Sequence, residues 1–262
     1  MGAKDITIFS LFLCFLLLII PFLVVKKLKL GLNKSILISV GRMTGQLLLV
    51  GLFLKYIFEW NIWYINLLWL MVMILFATFS VIGTSDLNIK IFLPFTLISF
   101  VFTTFSILFY FNYFVVGLAN IFESKYLIAI GGMILGNSLN GCIIGISNFY
   151  KNLKRNEERY LYSLSLGATV FEAAEPYFAQ SMIAAMKPTI ASMATIGIVA
   201  LPGMMTGQIL GGSSPMVAIK YQIAMYIVIF TSAALSVFLS ILFTIRVGFD
   251  GYGLLKKEVF KK

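Results

Sequence analysis

Apolar residues in this chain do not alternate; they run. Seven stretches, about 6–25, 36–58, 62–83, 91–115, 126–149, 189–211 and 221–245, are each near the ~20 residues a helix needs to cross a bilayer. The pattern predicts an all-α, polytopic membrane protein with seven crossings, organised as one transmembrane domain over 1–262. The first stretch has the position of a secretory signal. Its apolar run exceeds the usual ~7–15 residues, however, and no small-residue cleavage site follows. Lys26, Lys27 and Lys29 close it as a stop-transfer cluster, so it reads as a retained helix.

The breaks between the runs carry the orientation. Fifteen Lys and Arg fall on one side: Lys26, Lys27, Lys29, Lys34, Lys90, Lys151, Lys154, Arg155, Arg159, Lys187, Arg246, Lys256, Lys257, Lys261 and Lys262. Four fall on the other, namely Lys4, Lys55, Lys125 and Lys220. The positive-inside rule then places the N-terminus outside and the C-terminus in the cytosol. Tyr56, Trp60, Trp63 and Tyr64 gather in one short turn, as an interfacial aromatic belt does. The longest polar break, about 150–188, starts basic and mixes charged with apolar residues. It predicts one or two amphipathic helices at or below the cytosolic membrane surface.

Composition agrees with the pattern: 60% of the 262 residues are hydrophobic and 11% charged, against ~25% charged in soluble domains. The net charge of +10 then speaks of orientation and anionic lipid rather than of nucleic acid. The chain has no histidine, so it has no Ser-His-Asp set, and it has no GxxxxGK[ST] loop to bind ATP. Its two cysteines, Cys14 and Cys142, form no metal or disulfide motif.

Polar residues inside the runs are the candidate chemistry. Arg42 lies within the second run, and Gln46 follows at i+4 on the same helical face. Arg42 either anchors its helix at the phosphates or faces protein and water. In the fifth run, Gly132 with Gly136 and Gly141 with Gly145 have the spacing of close helix approach. Asn137 and Asn140 there bond across helices or face a pathway. Glu172 and Glu175 lie one helical turn apart; a solvated helix face explains them more simply than a cation site. Met182, Met186, Met193, Met204 and Met205 read as packing filler before soft metal ligands. Pro202, Gly203, Gly207, Gly211, Gly212 and Pro215 interrupt the sixth run and its exit. Such backbone stands at membrane depth only where protein buries it or it lines a polar cavity. It is either a helix end with a tight turn or a break, with Thr206 and Gln208, that lines a solute path.

Glu158 to Ala168 (ERYLYSLSLGA), the block LPGMMTGQILGGSSPMVAIKYQ over 201–222, GNSLNG over 136–141 and GRMTGQLLLVG over 41–51 are similar to the FetB (YbbM) permease family. That family also holds plant aluminium-tolerance permeases. The resemblance covers nearly the whole chain. It implies the membrane subunit of an ABC transporter, with iron export as the family-level activity. It also implies a homodimer of permeases working with two copies of a separate ATPase, which binds the ATP and Mg. No cofactor is expected on this chain, and no nucleic acid as partner. By the same analogy the cytosolic segment docks the ATPase, through Glu158, Leu166, Gly167, Ala168 and Phe171. The competing functions are an ion-coupled carrier or channel acting alone, and a membrane scaffold without transport.

Overall fold

The structure, a computed structural model, describes residues 5–260 and is all-α. Ten helices follow in chain order: α1 (Ile8–Leu16), α2 (Ile19–Lys27), α3 (Asn33–Trp60), α4 (Trp63–Thr84), α5 (Ile89–Tyr110), α6 (Ser124–Arg155), α7 (Glu157–Ser165), α8 (Val170–Thr195), α9 (Gly203–Leu210) and α10 (Pro215–Gly248). A π-helical turn, Phe111–Val116, extends α5. Lys4, Lys261 and Lys262 lie outside the described residues.

The first apolar run is one crossing in two pieces. Pro21 has no N–H for the carbonyl of Leu17, which accepts instead from Ile20 at 3.2 Å, and the helix restarts there. The next four runs become α3, α4, α5 and α6 close to the expected bounds, and the last becomes α10. At 34 residues α10 is ~51 Å long, more than the ~30 Å hydrocarbon thickness, so it emerges from the bilayer.

The core lies among α4, α5, α6, α8 and α10. A seam of small hydroxyls joins its centre. Ser138 and Ser232 hydroxyls pair at 2.9 Å, Ser240 donates to Ser99 at 3.0 Å, and Ser99 donates to the Ser236 carbonyl at 3.1 Å. With few charges available, short polar side chains fix the register of α10 on α5 and α6. Gly141 and Gly145 face Ala233 and Val237 of α10, as their spacing predicts; a Cβ on Gly145 would stand 2.5 Å from Val237. Gly136 is the exception, with open space at its Cβ position.

Both ends of the bundle are fastened by polar contacts. At one, Asn61 adopts φ +44° after Trp60, and its side chain accepts from the Ser124 amide at 2.9 Å. Asn66 donates to the Phe122 carbonyl at 2.9 Å. The expected aromatic belt stands exposed around this end. At the other, Lys151 meets Asp86 at 3.2 Å, and the Asn88 amide bonds the Val259 carbonyl at 2.9 Å. Tyr160 of α7 donates to the Gly253 carbonyl at 2.8 Å. Burial, with Asp250 nearby, pushes its phenol up to about 12, so it remains a donor at neutral pH.

Helix directions correct one expectation. Ser138 pairs with Ser232, and Tyr150 lies against Gly248, so α6 and α10 run parallel. Two parallel spanning helices need one return crossing between them. The helix that returns is α8: Phe178 packs on Phe149 with ring centres 6.3 Å apart, and Ala185 abuts Gly145 further in. Residues 170–188, expected on the membrane surface, are therefore the first two thirds of a helix packed against α6 and α10. Glu172, Glu175, Lys187, Pro176 and Pro188 lower the apolar character of α8, and it is not among the six helices with the length and composition of a span. Glu172 is exposed and closes a capping box with Thr169 at the helix start, a role not expected for it. Lys187, counted among the cytosolic cations, stands instead within α8, beside Pro188.

Candidate functional site: a cavity at a broken helix

The return crossing is discontinuous. α8 stops at Thr195, a turn follows in which Gly197 takes φ +84° and bonds the Ala200 carbonyl at 2.9 Å, and α9 starts after Pro202. α9 ends at Leu210 with Gly211 as its cap, Gly212 takes φ +100°, and Ser214 caps α10 with Pro215 at its first position. The break expected from the glycines and prolines is thus two breaks with a two-turn helix between them.

Beside the first break is a cavity of about 330 Å³ between α6, α8, α9 and α10. Asn137 and Asn140 enter it from α6, one helical turn apart. α8 contributes Pro188, Thr189 and Ser192, and α10 contributes Gln222 and Tyr226. Pro202, Gly203 and Met204 close it at the start of α9, where the first amides have no side-chain cap. Amides there are free to meet a solute oxygen. Gln222 is 6% exposed, and its Oε1 has no hydrogen-bond partner in the protein. A buried amide oxygen without a partner is costly, which leaves this oxygen ready to accept a hydrogen bond from whatever enters the cavity. Asn137 donates to its own helix, to the Met133 carbonyl at 2.8 Å, which leaves its oxygen available.

The lining has amides, hydroxyls and the thioethers of Met133 and Met204, and no carboxylate, thiol or imidazole. Among the described residues no group of three metal-ligating acids or thiols exists. This donor set is not one that holds a transition metal tightly.

Of the residues expected on a pathway, Asn137, Asn140, Pro202 and Gly203 meet at this cavity. Thr206, Gly207 and Gln208 follow on α9 without lining it; Thr206 donates back to the Pro202 carbonyl at 3.1 Å, and Gly207 has open space around it. Arg42 and Gln46 are elsewhere, on the opposite side of α6, in a groove between α3, α4 and α6. Gln222, Thr189, Ser192 and Tyr226 were missed. The signal for Ser192 was its spacing from Pro188 and Thr189 on one helical face, hidden inside what reads as an apolar run.

Leu166, Gly167, Ala168 and Phe171 fall together at the corner between α7 and α8, at the Lys151 end of the bundle, while Glu158 stands apart from them in the first turn of α7. Gly167 takes φ +94° to make the corner, and Leu166 is 70% exposed at its tip.

Residues 8–249 match the family described as uncharacterised protein family UPF0014. The chain is 34% identical to the probable iron export permease protein FetB of Escherichia coli over 94% of its own length and 93% of that protein. It is 31% identical to the UPF0014 membrane protein YjkA of Bacillus subtilis, over 89% of this chain and 92% of the relative. A shorter match, 33% identical over 39% of this chain and 37% of the relative, is to ALUMINUM SENSITIVE 3 of Arabidopsis thaliana. No solved structure matches. With a family match across nearly all its helices and one relative aligned almost end to end, this chain belongs to the UPF0014 family of multi-pass membrane proteins, the family of the FetB permease.

Proposed function

We propose that this chain is the permease of an ATP-driven transporter, moving a small solute through the cavity at the α8–α9 break. The observation that carries the reading is the meeting of a discontinuous crossing with a polar cavity in which Gln222 lacks a protein partner. Interrupted helices of this kind bind solute with backbone groups and absorb the dihedral change of transport. A separate ATPase supplies the energy and holds ATP and Mg. Its dock is the α7–α8 corner, where Leu166 and Phe171 stand out from the bundle and Gly167 sets the turn. Iron export follows the name of the Escherichia coli relative. A neutral lining fits a metal that is released, not stored.

The working unit in this reading has two permeases and two ATPases. The outward face of α8 favours a second copy: Ile183 and Ile190 are exposed there, with Lys187 between them. A lysine facing lipid inside a crossing costs ~2.5–3.5 kcal/mol on insertion scales. The N-terminus is placed outside and the C-terminus in the cytosol. Moving Lys187 into α8 leaves the charge bias intact, because Lys34, Lys90, Lys151, Arg155, Arg246 and Lys256 still share one end.

Reconstitution tests the reading. Vesicles holding the chain and its ATPase should show ATP-dependent movement of iron, and vesicles holding the chain alone should not. Flux without the ATPase would favour a self-sufficient carrier, and no flux of any solute would favour a scaffold.

A further inference from the structure

The second groove beside α6 has a different construction. Helix α3 packs loosely on the bundle and leaves a trough of about 580 Å³ against α4 and α6. Its walls are mostly apolar, with Val50, Trp69, Val72 and Met73 on one side and Leu135 and Leu139 on the other. Gly132 and Gly136 lower its floor. Toward the Lys34 end of α3 the trough finishes in Arg42, with Gln46 one turn above and Ser80 across on α4.

Arg42 has no acid beside it. Among the described residues the one ion pair is Lys151–Asp86, at the end of the bundle. Arg42 is ~13 Å along α3 from Asn33, within reach of the headgroup region for a long side chain that snorkels. A guanidinium prefers a planar, two-oxygen anion, and phosphate is the anion that a bilayer offers at this depth. We propose that the trough is a binding site for an acidic phospholipid, whose phosphate pairs with Arg42 and whose acyl chain lies between α3, α4 and α6. The charge argues for lipid over a second copy of the chain. A two-fold copy brings another cation to this face, while an acidic lipid brings the missing anion together with a chain shaped for the trough.

Trp69 reports on the site, since it lines the trough and packs on Phe53 of α3 with ring centres 4.8 Å apart and planes tilted by 35°. The chain has three tryptophans, so Trp60→Phe with Trp63→Phe leaves Trp69 alone. The probe is acyl-brominated phosphatidylglycerol or acyl-brominated phosphatidylcholine, each diluted into phosphatidylcholine vesicles. Brominated phosphatidylglycerol should quench Trp69 at about fivefold lower mole fraction than brominated phosphatidylcholine, the preference one basic side chain gives an anionic lipid. Arg42→Gln should bring the two lipids level, Arg42→Lys should keep most of the preference, and Lys34→Gln should keep all of it. Equal quenching by both lipids in the Arg42 protein overturns the proposal, and so does absence of quenching by either, which would mean that protein fills the trough. The comparison of lipids in the Arg42 protein decides the matter even if the glutamine variant misfolds.

Discussion

The two grooves that flank α6 differ in what their walls ask for. On one face Asn137 and Asn140 meet Thr189, Ser192 and Gln222 beside broken backbone, and the wants are hydrogen bonds. On the other face Leu135 and Leu139 meet Val72 and Met73 with one unpaired guanidinium, and the wants are hydrocarbon and a single anion. Both sides are served by the same helix, with residues 137, 140 and 141 turned one way and 132, 136 and 139 the other. Polar residues within one membrane protein therefore need not share a task. Arg42 and Asn137 are both costly in lipid, but the first is met by the bilayer surface and the second by a cavity.

The sharpest way to break this comparison is to fill α6 on one side and then the other. Gly145→Val places atoms where Val237 stands, 2.5 Å from a Cβ, and overpacking of this kind costs ~1–3 kcal/mol. Loss of folded protein after detergent extraction, with recovery in a Gly145→Val, Val237→Ala pair, is the expected outcome. A Cβ at Gly136 meets nothing within 4 Å, so Gly136→Ala should leave thermal stability unchanged.

Transport separates the two faces next. Gln222→Leu removes the unpartnered amide from the cavity and should lower ATP-driven flux about tenfold at equal protein level, since a lost hydrogen bond of this kind is worth ~1–2 kcal/mol. Gln46→Leu, in the other groove, should leave flux within about twofold. Equal losses in both would make the grooves one functional unit.

The α7–α8 corner tests a third surface. Leu166→Ala should weaken ATPase co-purification by ~1–2 kcal/mol, about tenfold, while the permease itself stays folded, because Leu166 is 70% exposed and touches little of its own chain. The smallest effect is expected at Gly207. The residue sits in open space on α9, so Gly207→Ala should change flux by less than about twofold; a large loss would mean that α9 closes onto another helix during transport.

Much of this was legible from residue order. Long apolar runs gave five of the helices to within about six residues, because length and apolar composition are enough to mark those crossings. The glycines and prolines of 201–215 located the broken backbone for the same local reason. α8 was not legible as a crossing. Its alanines and serines let it sit between α6 and α10, and the sense of that packing depends on partners far away in sequence. Gln222 was hidden similarly: a single amide at the start of an apolar run says nothing until Asn140 and Pro202 are brought beside it. Arg42 was legible as an oddity, but the side of α6 that it faces was not.

Water access tests the central claim most directly. In a background of Cys14→Ser and Cys142→Ala, single cysteines are placed at Thr189 and Ser192 in the cavity and at Val72 and Leu139 in the trough. A membrane-impermeant, charged thiol reagent is then added to vesicles on each side. The account predicts labelling of Thr189→Cys and Ser192→Cys, with the side of access changing when the ATPase turns over, and no labelling of Val72→Cys or Leu139→Cys. Labelling of the trough positions with a dry, unreactive cavity would contradict it.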